Sequence, residues 1–254
     1  MKAAIVGYGR MGKLIRSLCI EEGIDVVSVI DPWSPSKDVT AIQSDEESMR
    51  GVDVAIDFSH PASAIENMVS YSRLSVPAVM GTTGWYSEID SVRHLLSNPE
   101  TRIIHSGNFS IGVAMFLHIV KYAGQLVNSV EGYDIAVREV HHAGKADCPS
   151  GTAEMIASRI LEAVDRKKSI LSGNPSGPIK PDQLQVSSER VGKEPGLHQV
   201  IIDSDADTIT LEHHARSREG FARGAIRAAK WILGKEPGLY TMDDFVSDLL
   251  GSID

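Results

Sequence analysis

The most constraining feature of this chain is Gly7-Tyr8-Gly9-Arg10-Met11-Gly12, set between an apolar run and a helical pattern. Lys2-Ala3-Ala4-Ile5-Val6 reads as a buried parallel strand. Met11, Leu14, Ile15 and Leu18 then recur at helical spacing over residues 10–22. Val26-Val27-Ser28-Val29-Ile30 is a second strand, and Asp31 ends it nineteen residues beyond Gly12. A Gly-x-Gly-x-x-Gly turn alone is weak evidence. Placed after a strand, at the head of a helix, with an acid ending the next strand, it is a dinucleotide fingerprint. Its glycines allow a tight turn and close approach of a pyrophosphate, and Asp31 would take the ribose hydroxyls.

The alternation continues. Strands are predicted at 52–58, 76–80 and 102–105, with helices at 61–73 and near 87–97. Ligands of such parallel sheets bind at the carboxyl ends of strands. Gly81-Thr82-Thr83-Gly84 and, less strongly, Ser106-Gly107-Asn108-Phe109 fall there and are candidate cofactor contacts.

After Asn108 the rhythm changes to a mixed pattern. A long helix covers 111–128, a strand runs from Tyr133 to His142, and a helix covers 151–166. Residues 168–196, rich in Gly, Pro and Ser, read as a long loop with little regular structure. Strands at 199–202 and 208–214 pair across an acidic turn. Helices at 219–233 and 242–250 are expected to pack back on the first domain. The fold class is α/β: an N-terminal Rossmann-type parallel sheet domain (1–110), a C-terminal α+β domain (111–219), and helices (220–254) returning to the first.

The chemistry concentrates in Glu139-Val140-His141-His142-Ala143-Gly144-Lys145-Ala146-Asp147-Cys148-Pro149-Ser150-Gly151-Thr152-Ala153. Ser150 or Thr152 could cap a helix starting here, whose first amides would hold an anion. His141 and His142 admit three readings: acid–base work, metal binding with Asp147, His213 or His214, or structure. Adjacent histidines on a strand point to opposite faces, so they are poor joint ligands. No metal is expected. Lys145, between the histidines and the helix start, suits a carboxylate or imine. The net charge of −9 argues against a general nucleic-acid binder and makes this local positive cluster more informative. Two distant cysteines, Cys19 and Cys148, point to a reducing cytosol, and no run is apolar enough to span a membrane.

The central stretch matches the pattern E-x-H-H-x-x-K-x-D-x-P-S-G-T-A, and the chain resembles the 4-hydroxy-tetrahydrodipicolinate (dihydrodipicolinate) reductase family. Gly9-Arg10-Met11-Gly12, Asp57-Phe58-Ser59, Gly81-Thr82-Thr83-Gly84, Asn108 to Gly112, Ser217-Arg218 and Phe221-Ala222-x-Gly224-Ala225 run in the family's order. The resemblance implies a cytoplasmic homotetramer of the diaminopimelate route to lysine. Such an enzyme reduces a cyclic dicarboxylate imine with NADH or NADPH. It implies proton transfer and substrate activation by His141 and Lys145, and substrate binding by His142, Gly151 and Thr152. It implies cofactor binding by Gly7, Tyr8, Gly9, Arg10, Met11, Gly12, Asp31, Gly81, Thr82, Thr83, Ser106, Gly107, Asn108 and Phe109. Many members have one more glycine in the first loop. Where many carry a basic residue after the acid, this chain has Pro32-Trp33, which predicts that NADH serves at least as well as NADPH. Rival readings are a different two-domain dehydrogenase and a dinucleotide-binding redox sensor. Neither has a use for the His-His-x-x-Lys and Pro-Ser-Gly-Thr pairing.

Overall fold

The computed structural model describes residues 1–251. The chain divides into two compact units, residues 1–111 with 219–254, and residues 112–218.

In the first unit, β1 (Lys2–Val6) leads through the glycine turn into α1 (Arg10–Glu21), and β2 (Asp25–Ile30) follows. Then come β3 (Val54–Asp57), α2 (Pro61–Arg73), β4 (Ala78–Met80), α3 (Ile89–Leu95) and β5 (Arg102–His105). The second unit holds α4 (Ile111–Ser129), β6 (Asp134–His141), α5 (Gly151–Ala163), β7 (Ser169–Ser172), β8 (Gln183–Arg190), β9 (Leu197–Asp203) and β10 (Thr208–His214). The chain then returns to the first unit with α6 (Glu219–Ile232), β11 (Gly238–Thr241) and α7 (Met242–Leu250).

The first sheet is parallel throughout, in the order β11-β5-β4-β3-β1-β2. Its strands are short apolar runs buried on both faces, as a helix-covered parallel sheet requires. The helical spacing over residues 10–22 is realised in α1, which buries Gly12, Ile15, Leu18 and Cys19. The returning α6 lies against α1, with Arg223 and Lys230 reaching Glu21 and Glu22. At Gly224 its backbone comes so close to Phe109 that a Cβ would stand 1.7 Å from the Phe109 carbonyl oxygen.

The C-terminal return includes one more element than the sequence pattern suggests. Gly238–Thr241 forms β11, the edge strand beside β5. Four half-buried residues carry too little periodicity to announce a strand.

The second sheet is mixed, in the order β10-β9-β6-β8-β7. β9 pairs antiparallel with β10 and β6, whereas β6, β8 and β7 are parallel. The expected structureless loop over 168–196 is corrected here, because it contains β7 and β8. β8 is polar except for Leu184 and Val186, which alternate onto the buried face. β7 is an exposed edge strand. Neither shows the dense apolar run that marks a strand on inspection.

One face of this sheet is covered by α4 and α5. Val113, Phe116, Leu117 and Val120 of α4, with Ile156 and Ile160 of α5, pack on Val137, Val186 and Val200. Fully burying each such side chain contributes roughly 1.5–3 kcal/mol. The register aligns Val186, Val137, Val200 and Leu211 in a row across four strands. Two residues further along β6 the next row on this face is Ser188, Glu139, His198 and His213. The covered face thus turns from apolar to titratable where β6 ends.

Candidate active site

The polar row is closed from above by the start of α5. Ser150 is its N-cap, and its hydroxyl accepts from the Ala153 amide at 3.2 Å. Of the two caps the sequence allowed, the structure uses Ser150. The Ser150 amide donates to Glu139 Oε1 at 3.1 Å, and its hydroxyl pairs with His198 Nε2 at 3.2 Å. Gly151 and Thr152 open the helix, and Gly151 has no atom within 4 Å of where a Cβ would be. Their amides have the orientation that favours an anion.

Glu139 is fully buried. An isolated charge there would be very unfavourable, so its partners matter. Arg190 donates to the same Oε1 at 3.0 Å. The other oxygen, Oε2, lies 3.0 Å from His141 Nδ1 without hydrogen-bond alignment, and 3.9 Å from His198 Nε2. Burial pushes the Glu139 carboxyl up. The Ser150 and Arg190 donors and the nearby His141 outweigh it and hold Glu139 below its usual range.

His141 and His142 part company because β6 ends at His141. His141 is buried among these groups, and His142 is half-buried on the turn that follows. Burial lowers the His141 pKa, Glu139 opposes this, and Lys145 and Arg190 reinforce it. Lys145 Nζ holds both carboxylate oxygens of Asp147, at 2.7 and 2.8 Å. Cys148, next after Asp147, is exposed and free, and a cis peptide bond joins it to Pro149. His213 sits in the polar row, 6.4 Å ring to ring from His198. His214 instead contacts Glu194 at 2.9 Å.

Glu139, His141 and His198 offer ligand atoms within 4.8 Å of one another, a different trio from the histidines and Asp147 weighed in the sequence. Arg190 already supplies the positive charge that a cation would bring to Glu139. The trio therefore reads as a charge-compensated network.

His198 also gives the site a pH signature. Burial pushes its pKa down to about 4. Above about pH 6.5 it is neutral folded or unfolded. Below that, the unfolded chain takes up a proton the folded site refuses, so stability falls as pH drops toward about 4. The full effect is roughly 3 kcal/mol. Urea unfolding at neutral pH and near pH ~5 is expected to show this loss, and His198→Gln to reduce it. An unchanged acid loss in that variant would assign the effect elsewhere.

The first unit carries a separate cavity of about 720 Å³. Gly7, Tyr8, Gly9, Asp31, Trp33 and His60 are among its lining. Gly7 has φ +83°, a conformation that favours glycine. α1 has no side-chain cap at Gly9, which leaves its first-turn amides open to an anion. Arg10 is exposed and Met11 half-buried on that turn. Asp31 Oδ2 accepts from the Tyr8 amide at 2.7 Å, and Oδ1 from the Trp33 and Ser34 amides at 2.8 and 2.9 Å. Burial pushes Asp31 up, but these three donors outweigh it and hold it below the usual carboxylate range.

Gly81, Thr82 and Thr83 follow β4, and Ser106 to Phe109 follow β5, at carboxyl ends as expected, although none of them lines the cavity. Buried Asp57 fixes the first of these loops. It accepts from Thr82 Oγ1 at 2.9 Å, the Ser59 amide at 2.9 Å, Asn67 at 2.9 Å and Tyr71 at 2.7 Å. In the second loop the Ser106 hydroxyl bonds the Asn108 carbonyl at 2.8 Å.

Residues 1–109 match the family model for the dihydrodipicolinate reductase N-terminus, and residues 112–246 the model for its C-terminus. A 4-hydroxy-tetrahydrodipicolinate reductase of Christiangramia forsetii is 34% identical over 249 residues, covering 98% of this chain and 99% of that protein. One from Archaeoglobus fulgidus is 37% identical, covering 97% and 100%. Among solved structures, a dipicolinate-bound dihydrodipicolinate reductase of Paenisporosarcina sp. TG-14 superposes with a TM-score of 0.77 at 22% identity, over 95% of this chain and 97% of that one. With both family models matched in order and near full-length relatives at 34% and 37% identity, the chain belongs to the dihydrodipicolinate reductase family.

Proposed function

We propose that this chain, a reductase of 4-hydroxy-tetrahydrodipicolinate in lysine and diaminopimelate biosynthesis, divides its work between its two units. The observation that carries the reading is the α5 start, with its Gly151 and Thr152 amides, beside Lys145 and the buried His141. A dicarboxylate is costly to bury unless its charge is paired. The Gly151 and Thr152 amides, with the Thr152 hydroxyl beside them, take one carboxylate, and His142 with Lys145 the other. Lys145 exchanges Asp147 for substrate on binding. His141, with Lys145, handles the proton that balances charge on the reduced ring.

A nicotinamide cofactor, when bound, supplies the hydride. The turn from Gly7 to Gly12 and the α1 amides receive its pyrophosphate, and Asp31 its ribose. The loops Gly81 to Thr83 and Ser106 to Phe109 complete the contact. The open space at Gly9, the uncapped α1 and the adjoining cavity support this. The test is oxidation of NADH or NADPH by freshly generated substrate. Absence of turnover with both would overturn the reading.

Cofactor choice follows from Asp31. Its carboxylate is held ionised, and Pro32-Trp33 bring no cation. A ribose 2′-phosphate meets repulsion there. NADH is expected to give kcat/KM at least equal to that with NADPH. A large NADPH preference would contradict this and direct attention to Arg73, the one Lys or Arg in the described cavity lining.

Self-assembly into a homotetramer is supported by α4. Met115, Ile119, Tyr122 and Leu126 are 50–65% exposed and follow helical spacing on one stripe. A contiguous apolar stripe of this kind marks an association surface. The cytosol is the proposed compartment: Cys19 and Cys148 are unpaired, and no helix among the described residues is long and apolar enough to cross a membrane.

A further inference from the structure

We propose that Glu139, Arg190 and His198 form a positioning network that fixes the His141 ring against the first turn of α5. The inference rests on the reading of His141 as the proton-handling group. Arg190 and His198 are brought to His141 from β8 and β9, about 50 residues along the chain.

Ile135 and Val137 point into the apolar core, and Glu139 and His141 continue the same row. Another apolar residue at 139 would satisfy burial. Replacing a buried charge pair by packed apolar groups is often neutral or stabilising. Stability alone therefore does not account for a fully buried carboxylate at this point.

What the carboxylate does is join elements. Oε1 holds the Ser150 amide of α5 and the Arg190 guanidinium of β8. Arg190 also donates to the Asp147 carbonyl at 2.7 Å, which ties down the loop carrying Lys145. Oε2 faces the imidazoles of His141 and His198. His198 completes the circuit through the Ser150 hydroxyl, and its ring stands edge-on to His141 with centroids 5.1 Å apart. The loop carrying Lys145, the helix start and the histidine thus meet at one carboxylate.

The carboxylate also selects which nitrogen works. Glu139 lies at Nδ1, so it favours a proton there. Nε2 is then left to give or take the mobile proton, the logic by which a carboxylate orients a catalytic imidazole. Nε2 lies beside Gly196, where a Cβ would stand 3.0 Å away. Glycine at this position leaves that nitrogen room.

The charged groups around His141 act in both directions. Glu139 on β6 and Asp147 on the loop favour the imidazolium. Lys145 and Arg190 disfavour it, Glu194 senses its charge from the next turn, and His198 faces it from β9. Removing the Glu139 charge while keeping its shape tips this balance toward the neutral ring. An acid that must start protonated then fails at lower pH.

The test is steady-state kinetics over pH on Glu139→Gln, His198→Asn and His141→Ala, each checked for folding by circular dichroism. Glu139→Gln is expected to lower kcat by about 10- to 100-fold. It should leave the KM for NADH unchanged and move the basic limb of the kcat profile to lower pH. His198→Asn is expected to lower kcat by about tenfold, again without changing the cofactor KM. A folded Glu139→Gln enzyme with wild-type kcat and pH profile overturns the proposal. If Glu139→Gln does not fold, His198→Asn decides: a selective loss of kcat supports the network, and wild-type kinetics overturn it. Full activity in His141→Ala would instead overturn the underlying proton-transfer reading. Loss in His141→Ala beside an unaffected Glu139→Gln would leave that reading standing and remove only the network.

Discussion

His141→Ala is expected to lower kcat by roughly 10²–10⁴-fold while the protein remains folded, the range that loss of a positioned acid or base produces. The imidazole ends β6, beyond the last apolar pair of its row, so its truncation leaves the packed core of Val137, Val186 and Val200 intact. Lys145→Ala is expected to reduce kcat over the same range, because its ammonium is the one cation in the turn between His142 and the helix start. Thr152→Ala provides the contrast. A group that anchors a carboxylate acts in ground and transition states alike, so its loss raises KM more than it lowers kcat. Stopped-flow or steady-state oxidation of NADH, with substrate varied, separates the two patterns. Near-normal kcat in both His141→Ala and Lys145→Ala, with native circular dichroism, would refute the assignment. Loss of activity on treatment with chelators would return the Glu139, His141 and His198 trio to a metal reading.

The sequence makes some of this architecture legible and hides the rest for physical reasons. The glycine turn and the alternation around it are local signals, so β1, α1 and β2 stand where the periodicity puts them. The helix at 151 is equally local, since Ser150 caps it within three residues. The cluster of Glu139 to Thr152 is contiguous and reads as chemistry directly. Arg190 and His198 are invisible to the same reasoning, because only pairing of β6 with β8 and β9 brings them to Glu139. Arg190 also ends a strand whose eight residues bury only two apolar side chains, inside a stretch that reads as loop. For His198 a signal existed. His198, Val200 and Ile202 alternate in phase, which places the histidine on the buried face of its strand. Asp57 is similar. Its position at the end of an apolar strand marks a buried carboxylate, but its four donors come from the following turn, α2 and the β4 loop.

The three fingerprint glycines are expected to divide into two classes when each is replaced by alanine. Gly12→Ala would put a Cβ 1.9 Å from the Gly7 carbonyl oxygen, a backbone atom that cannot rotate away. Gly7→Ala meets the Phe58 carbonyl at 2.3 Å and must also hold φ at +83°. Overpacking against backbone requires β1, α1 or the β3 end to shift. Each substitution is therefore expected to destabilise the fold by about 3 kcal/mol, at the top of the usual range. Gly9 differs. Its φ of −77° is open to alanine, and nothing lies within 4 Å of the Cβ. Gly9→Ala is expected to unfold within about 0.5 kcal/mol of the wild type. The space it fills is the one proposed for the cofactor pyrophosphate, so NADH affinity is expected to fall by at least about tenfold. Urea unfolding and fluorescence titration with NADH measure the two effects independently. Wild-type NADH binding by Gly9→Ala would move the pyrophosphate away from the α1 amides. Wild-type stability in Gly12→Ala would show that helix and strand can part without loss, against the close packing seen here.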